Sequence, residues 1–381
     1  MRVLALGGAG AVCKEATRDL AQFSKFDEIV VADYNLEAAQ ALVDSIGDPR
    51  LKAIFLDASD EKSLHELFRG FDVVMNGLPF KYDYIVNKVC VEEGVNGLDL
   101  SSDDPQFQLH RKALEKDMIF IPGVGATPGT TNAMVAWGVS HLDEVERVQI
   151  YFAAFRSFAP APGLLTTTLW EFDPEEPARE EVYYEDGSMR PAPPFSGEKI
   201  VRFHDLIGEQ PVYFVPHDEA QTLPHSYPKI KHASVRGCFP PKVMATGRVF
   251  KEMGLLSHEP SDLLGGRSPF EVSRDLLWAS PETRKNDNWA YGLVVEVEGL
   301  EKGRKVRYTY RNSHPPQEEW GGSSAYFKNV GIPLSIGAQL IAEGAVEARG
   351  VVPPELAIPF ERFIAELGRR GIVISEEREE L

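Results

Sequence analysis

From its first residue the chain alternates short apolar runs with amphipathic stretches. Val3–Leu6, Ile29–Ala32, Ala53–Leu56, Val73–Met75, Leu98–Leu100 and Met118–Ile121 predict six strands. Lys14–Phe23, Leu36–Ile46, Glu61–Phe68, Tyr84–Glu93 and Gln106–Lys116 predict helices between them. Unbroken apolar runs separated by helices are what a parallel sheet covered on both faces requires. The class is therefore α/β, with a Rossmann-type doubly wound parallel sheet.

After Asn132 the pattern changes. Val145–Phe155 mostly alternates, as in an antiparallel strand with one covered face. Ser157–Gly197 is rich in proline and acidic residues and reads as a long loop or lid with a short helix. Further strands are predicted at Lys199–Phe203, Pro211–Val215, Ala233–Gly237, Leu293–Glu298 and Lys305–Tyr310. They make a second, α+β domain on a mixed or antiparallel sheet. Helices return at Pro333–Gly344 and Pro359–Gly368, and Glu376–Glu380 reads as a solvated tail.

Length and charge narrow the picture. A chain of 381 residues suggests two domains. A net charge of −18 argues against a nucleic-acid or anionic-membrane partner, whose phosphates would repel it. No apolar stretch is long enough to span a bilayer, so no membrane association is expected. Met1–Gly7 runs straight into glycine without the apolar run and cleavage site of a signal peptide. Cys13, Cys90 and Cys238 are far apart and odd in number, which argues against a disulfide framework or zinc site and for a reducing cytoplasm. The histidines show no ligand spacing, so no metal is expected, and there is no G-x-S-x-G nucleophile pattern.

Between the first strand and first helix lies Gly7-Gly8-Ala9-Gly10-Ala11-Val12-Cys13. Gly8 and Gly10 take the first two positions of G-x-G-x-x-G, and Cys13, a small residue, takes the third. Gly8 is read as allowing the tight turn. Gly10, Ala11 and Val12 bring backbone N–H groups to a pyrophosphate at the helix N-terminus. Asp33, ending the second strand, is placed to accept the adenosine ribose hydroxyls and to repel a 2′-phosphate. With Tyr34-Asn35 and no arginine beside it, NAD is favoured over NADP. Asp57 and Ala58 would lie near the adenine, although Asp57 equally suits an N-cap for the helix from Glu61. Asn76, Leu78 and Pro79 would pass under the nicotinamide-side ribose. A nucleotide-free domain whose glycines only make a turn is the competing reading.

At this point the sequence resembles the saccharopine dehydrogenase family. The resemblance rests on the opening VLALGGAGAVCKEATRDL, on Pro122–Asn132, on Ser234–Phe239 with Phe250–Leu256, and on Gly331–Gly344 with Gly350–Glu355, in that order. It implies a dinucleotide-binding domain over residues 1–133, a substrate-binding and dimerisation domain over 134–330, and C-terminal helices over 331–381 returning to the first domain. It also implies a homodimer and hydride exchange between nicotinamide and a C–N bond of a small amino acid or amine. The opening is similar to lysine 6-dehydrogenases, which use NAD. Asp218–Pro228 departs from the fungal saccharopine reductases toward carboxynorspermidine-type relatives, which keeps a polyamine reductase as an alternative. A non-catalytic dinucleotide-binding protein is a further one, with the 157–197 insertion as its partner-binding arm.

Such chemistry needs a group to manage the amine proton. Asp99, after the fifth strand, is a candidate to orient an ammonium or act as base. The competing role, capping the next helix, better suits Ser101, Ser102 and Asp103. His225, fixed between Pro224 and Pro228, suits proton transfer or a structural role. Arg236 suits a bidentate grip on a substrate carboxylate or an interface salt bridge. Thr131 and Asn132 could bind substrate or cofactor, or cap their helix, and Lys81, Tyr82 and Tyr84 rank after these.

Overall fold

The computed structural model describes residues 1–102 and 104–381. The chain divides into two compact units, one of Met1–Trp137 with Phe327–Val373, the other of Gly138–Tyr326 with Ile374–Leu381.

In the first unit β1 (Arg2–Leu6), β2 (Glu28–Asp33), β3 (Leu51–Phe55), β4 (Val73–Asn76), β5 (Asn96–Leu98) and β6 (Ile119–Ile121) lie parallel. The spatial order is β3-β2-β1-β4-β5-β6, and a further strand, Gly350–Val351, pairs beyond β6. The order reverses between β1 and β4, so the ligand crevice of such a sheet lies off their carboxyl ends. Leu6 pairs with Ala32 on one side and Asn76 on the other, which levels those three strand ends. Leu4, Leu6, Val30, Val74 and Phe120 are buried in the core.

The helices are α1 (Cys13–Phe23), α2 (Leu36–Ile46), α3 (Glu61–Phe68) and α4 (Asp83–Glu93). The Asn35 side chain caps α2 by accepting from the Ala38 amide, and Gly47 ends it in the left-handed conformation. In place of one helix over 106–116 there are two short ones, α5 (Asp104–Phe107) and α6 (His110–Glu115), with Gln106 turned inward onto Asp99. Finally α7 (Thr130–Ser140) leads from the first unit into the second.

The helix expected to start at Pro333 runs from Ser324 to Ala342, with Pro333 inside it. Proline in a helix interior costs about 3 kcal/mol, and close packing opposes that cost. A Cβ on Gly331 would stand 2.8 Å from Val12 O, and one on Gly337 would stand 2.7 Å from Leu98 Cδ1.

In the second unit β7 (Glu144–Phe155) pairs parallel with β12 (His232–Cys238) and antiparallel with β13 (Ala290–Glu301). The sheet continues through β14 (Arg304–Ser313) on one side, and β11 (Glu209–Phe214) and β10 (Lys199–Arg202) on the other. It is mixed. Expected to have one covered face, β7 is instead central, and Ile150–Phe155 are buried on both faces. Residues 157–197 hold more than a loop and short helix: α8 (Pro162–Phe172), and a hairpin of β8 (Tyr183–Glu185) and β9 (Ser188–Arg190) whose first strand pairs with β12. The remaining helices near this sheet include α9 (Glu219–Ser226) and α10 (Pro241–Glu252).

The acidic C-terminus is a strand, Val373–Glu380, not a free tail. Opposite charges hold it beside β14: Arg311–Glu377 at 2.9 Å, Arg307–Glu379 at 3.3 Å and Arg304–Glu380 at 3.4 Å.

Candidate functional site

The glycine loop leaves β1 through Gly7, which takes the left-handed turn at φ 60° and donates its N–H to Ala32 O at 2.8 Å. This corrects the assignment of the turn to Gly8. Gly8 is needed for space, because a Cβ there would stand 2.9 Å from Ala5 O and from Val31 Cγ1. The Gly10 amide closes the turn onto Gly7 O at 2.9 Å. Val12 begins α1 without a side-chain cap, and the Ala11 and Val12 amides have no acceptor among the described residues. Uncapped donors at the start of an eleven-residue helix suit a diphosphate.

Asp33 anchors that loop. Its carboxylate accepts from the Ala9 amide at 3.2 Å and the Asn35 amide at 2.9 Å, and it stays half-buried at the carboxyl end of β2. Asp57 is not the helix cap, since Asp60 caps α3 through the Lys62 amide. Instead Asp57 accepts from the Ser59 hydroxyl at 2.6 Å and amide at 2.9 Å, which hold its carboxyl below the usual range. Ala58 beside it is buried.

After β4, the buried Asn76 donates to Asp83 Oδ1 at 2.7 Å and accepts from the Leu78 amide at 3.1 Å, fixing the turn into exposed Pro79. Asp83 also accepts from the Ser101 hydroxyl, so one buried carboxylate joins the ends of β4 and β5. Lys81 and Tyr84 are exposed and Tyr82 is half-buried. Sequence reasoning missed Asp83, although an acid at the first turn of a helix is its available signal.

Asp99 is wholly buried. Its oxygens accept from the Gln106 amide at 2.5 Å and the Gly123 N–H at 3.0 Å, and its own carbonyl accepts from Val124 at 2.7 Å. It therefore ties β5 to the Pro122–Gly129 loop; Asp103, the alternative cap, lies outside the described residues. Thr131 and Asn132 are buried on the first turn of α7. Asn132 accepts from the Gly129 amide at 2.8 Å and donates to buried Glu355 at 2.8 Å.

In the second unit His225 is exposed on the last turn of α9, its Nδ1 2.9 Å from Gln221 O. Arg236 donates to Gly197 O at 2.9 Å and Ser234 Oγ at 3.1 Å, with its guanidinium 3.8 Å over the Phe214 ring. A different histidine stands in a charged cluster. His217 Nδ1 lies 2.6 Å from Glu219, which is buried. Burial alone would lower its pKa, but Glu219, with Asp218 and Glu171 behind it, carries it up to about 9. Burial lifts Glu171 to about 7, against the pull of His217, Arg156 and Arg179. Arg156 is buried and donates to Thr168 Oγ1 at 2.6 Å. Its Nε, Ser157 Oγ and Thr222 Oγ1 are buried without a hydrogen-bond partner among the described residues. The sequence signal was slight: His217 stands one residue before the segment singled out for His225.

Comparison with known families uses both units. The saccharopine dehydrogenase NADP binding domain matches residues 3–121, and the saccharopine dehydrogenase C-terminal domain matches residues 125–372. The chain belongs to the saccharopine dehydrogenase family. It is an oxidoreductase of the C–N class that works with a nicotinamide dinucleotide. The chain is 24% identical to carboxyaminopropylagmatine dehydrogenase of Synechocystis over 386 residues, covering 96% of this chain and 95% of that protein. It is 26% identical to the NADP(+), L-glutamate-forming saccharopine dehydrogenase of Schizosaccharomyces pombe over 166 residues, 42% of this chain and 36% of that protein. The solved L-Glu-forming saccharopine dehydrogenase of Saccharomyces cerevisiae shares its fold, with a TM-score of 0.72 over 99% of each chain at 16% identity.

In this saccharopine dehydrogenase family member the glycine cradle fits the dinucleotide, because Gly8 leaves no room for a side chain and the Ala11 and Val12 amides just ahead of α1 have no acceptor among the described residues. All three cysteines are buried and unpaired, and burial pushes the Cys13 thiol up to about 12. No described helix is long and apolar enough to cross a membrane. Glu61, His65 and Glu92 lie close enough to share a cation, yet Lys88 holds Glu61 at 2.6 Å and Glu93 holds His65 at 2.6 Å.

Proposed function

We propose that the enzyme uses NAD to interconvert amine and imine in a small carboxylated amine, of the carboxyaminopropylagmatine type rather than the lysine or saccharopine type. The observation that carries the cofactor choice is the Asp33 carboxylate, held at the end of β2 by the Ala9 amide, where a 2′-phosphate would meet negative charge. The substrate class is supported by likeness along the whole chain to the carboxylated-agmatine enzyme, against 42% of the chain for the fission-yeast saccharopine enzyme.

When bound, the dinucleotide would supply the hydride acceptor for amine oxidation and, in its reduced form, the hydride donor for imine reduction. The chain does the rest. Gly8, Gly10, Ala11 and Val12 hold the diphosphate, Asp33 orients the adenosine ribose, and Asp57 and Ala58 flank the adenine. Asn76 sets Leu78 and Pro79 beneath the nicotinamide side. We assign Asp99, Thr131 and Asn132 as positioning residues, because their polar atoms engage the 122–129 loop and Glu355. Arg236 positions the 197 turn, and His225 is assigned no contact with substrate. A homodimer is part of the same proposal.

Titration with NADH and NADPH, followed by nicotinamide fluorescence, tests the cofactor. Tighter NADH binding supports the reading, and tighter NADPH binding overturns it. For the substrate, NADH consumption when a carboxylated aldehyde and agmatine are supplied together is the expected result. NADH formation from saccharopine or lysine alone would reverse the assignment. Sedimentation as a monomer would remove the dimer.

A further inference from the structure

The second unit contains a small cavity whose walls include Glu171, Phe172, Phe195, Tyr213, Phe214 and Phe239. Its volume is about 10 Å³, room for one water-sized head group. The rings are held as a set: Phe195 stacks on Phe172 at 5.2 Å and meets Tyr213 edge-on at 6.0 Å, and Phe172 meets Phe239 edge-on at 5.8 Å. The backbone is shaped to seat them. Phe195 sits at φ 65°, a conformation rare for a bulky side chain. Phe172 lies over Gly247 and Phe214 over Gly197, where a Cβ would stand 2.4 Å and 2.1 Å from the rings.

Glu171 is the only acidic residue in this wall, and its carboxylate accepts no hydrogen bond among the described residues. The cations around it have other partners, and only Arg156 Nε among their donors is buried without one among the described residues. His217 is held by Glu219, Arg156 donates to Thr168 and Ser157 O, and Arg179 donates to the carbonyls of Asp173, Phe214 and Glu171. Arg236 and Arg248 stack on Phe214 and Phe195 at 3.8 Å and 4.4 Å. The partly exposed Glu171 thus lacks a donor in a setting of aromatic faces, which attract cations and repel anions. A guanidinium head is too large for the space.

We propose that this cavity seats the primary ammonium head of the amine substrate, with Glu171 as its counter-ion and the aromatic rings as its walls. The inference rests on the reading that the enzyme acts on a small amine. An ammonium supplies the donor that Glu171 lacks, and its alkyl stem leaves through the partly exposed side. Glu171 titrates at about 7, so its ionised fraction, and with it affinity for an ammonium, rises about tenfold from pH 6 to pH 8.

Calorimetric titration of the NADH-loaded enzyme with n-butylammonium tests this, with n-butylguanidinium as the size control. The wild type is expected to bind n-butylammonium more tightly than the guanidinium, with the tenfold pH rise. Glu171→Gln is expected to lose at least tenfold in affinity and the pH dependence, while NADH affinity is unchanged. Gly247→Ala, whose Cβ would crowd the Phe172 ring in the cavity wall, is expected to weaken n-butylammonium binding while keeping its pH dependence, and serves as the second variant should Glu171→Gln fail to fold. Equal n-butylammonium binding by the variants and wild type, or equal binding of both cations, overturns the proposal. Turnover is scored separately. Unchanged KM in Glu171→Gln removes the seat alone, whereas absence of amine turnover in the wild type removes the functional reading and leaves calorimetric binding to decide the seat.

Discussion

Cys13 and Gly77 share one side chain's worth of space: a Cβ at position 77 would stand 1.7 Å from Cys13 Sγ. The volume that a glycine at the third position of the loop motif would leave empty is taken by the Cys13 sulfur and given up by Gly77. Gly77→Ala is therefore expected to destabilise the chain by about 2 kcal/mol and to weaken dinucleotide binding. Adding Cys13→Gly should return most of the loss. Thermal unfolding and NADH titration of the four proteins in this cycle measure the coupling, and additive effects would show that the two residues do not share the space.

Asp33→Ala removes both the ribose acceptor and the tie to the Ala9 amide. NADH affinity should fall at least tenfold, about 1.4 kcal/mol. NADPH affinity should fall less or rise, and Asp33→Ser with Tyr34→Arg should favour NADPH. Fluorescence titration with both dinucleotides checks the ratio; a parallel loss for the two would mean that Asp33 only braces the loop.

Arg370 meets Asp19 at 2.7 Å, both buried, and Ser335 donates to the same carboxylate at 2.7 Å. This network binds α1 to the Ser324–Ala342 and Phe360–Arg369 helices. Arg370→Met leaves a buried acid without its main cation and should cost about 3 kcal/mol. Asp19→Leu on top of it should recover much of that, as read by denaturant unfolding.

His217 and Glu171 both hold protons more tightly folded than unfolded. For His217, raised to about 9, the stabilisation is complete below the unfolded value of 6.5 and is lost as pH rises through 9. For Glu171, raised to about 7, the folded state is favoured at low pH and loses that advantage between 4.5 and 7. The share of these two groups in the melting temperature should accordingly decline from pH 5 to pH 9, opposed up to the unfolded value of 6.5 by His204, His232 and His314, whose pKa burial lowers. His217→Asn should flatten its upper part and Glu171→Gln its lower part.

The first unit was largely legible because its signals are local. Apolar runs such as Val3–Leu6 and Ile29–Ala32 report burial on both faces, and Asp33 is placed by its distance along the chain from the glycine loop. What was not legible depends on distant partners. The Glu376–Glu380 run carries no apolar alternation, and its place in the sheet depends on distant partners, Arg304, Arg307, Arg311 and Tyr310 on β14 among them. Pro333 signals a helix start unless Gly331 and Gly337 are known to lie against Val12 and Leu98. His217 and Glu219 are two residues apart, but Glu171 and Arg156 reach them from distant points of the chain, which a one-dimensional reading does not detect.

The chain passes between its two units three times, after Trp137, Tyr326 and Val373. Neither unit is a continuous stretch, so neither can be cut out as a single gene fragment. A chain stopped at Tyr326 would lose the Gly350–Val351 strand of the dinucleotide sheet and the Arg370 partner of Asp19 together. A nick in any one crossing splits at least one unit between two fragments, so it is the non-covalent packing inside that unit that would keep them one particle on a sizing column, while they migrate as two bands once denatured. The dinucleotide unit is in this sense complete only once Phe327–Val373 has been added, although the residues assigned to the cofactor, Gly8 to Pro79, all belong to its first stretch.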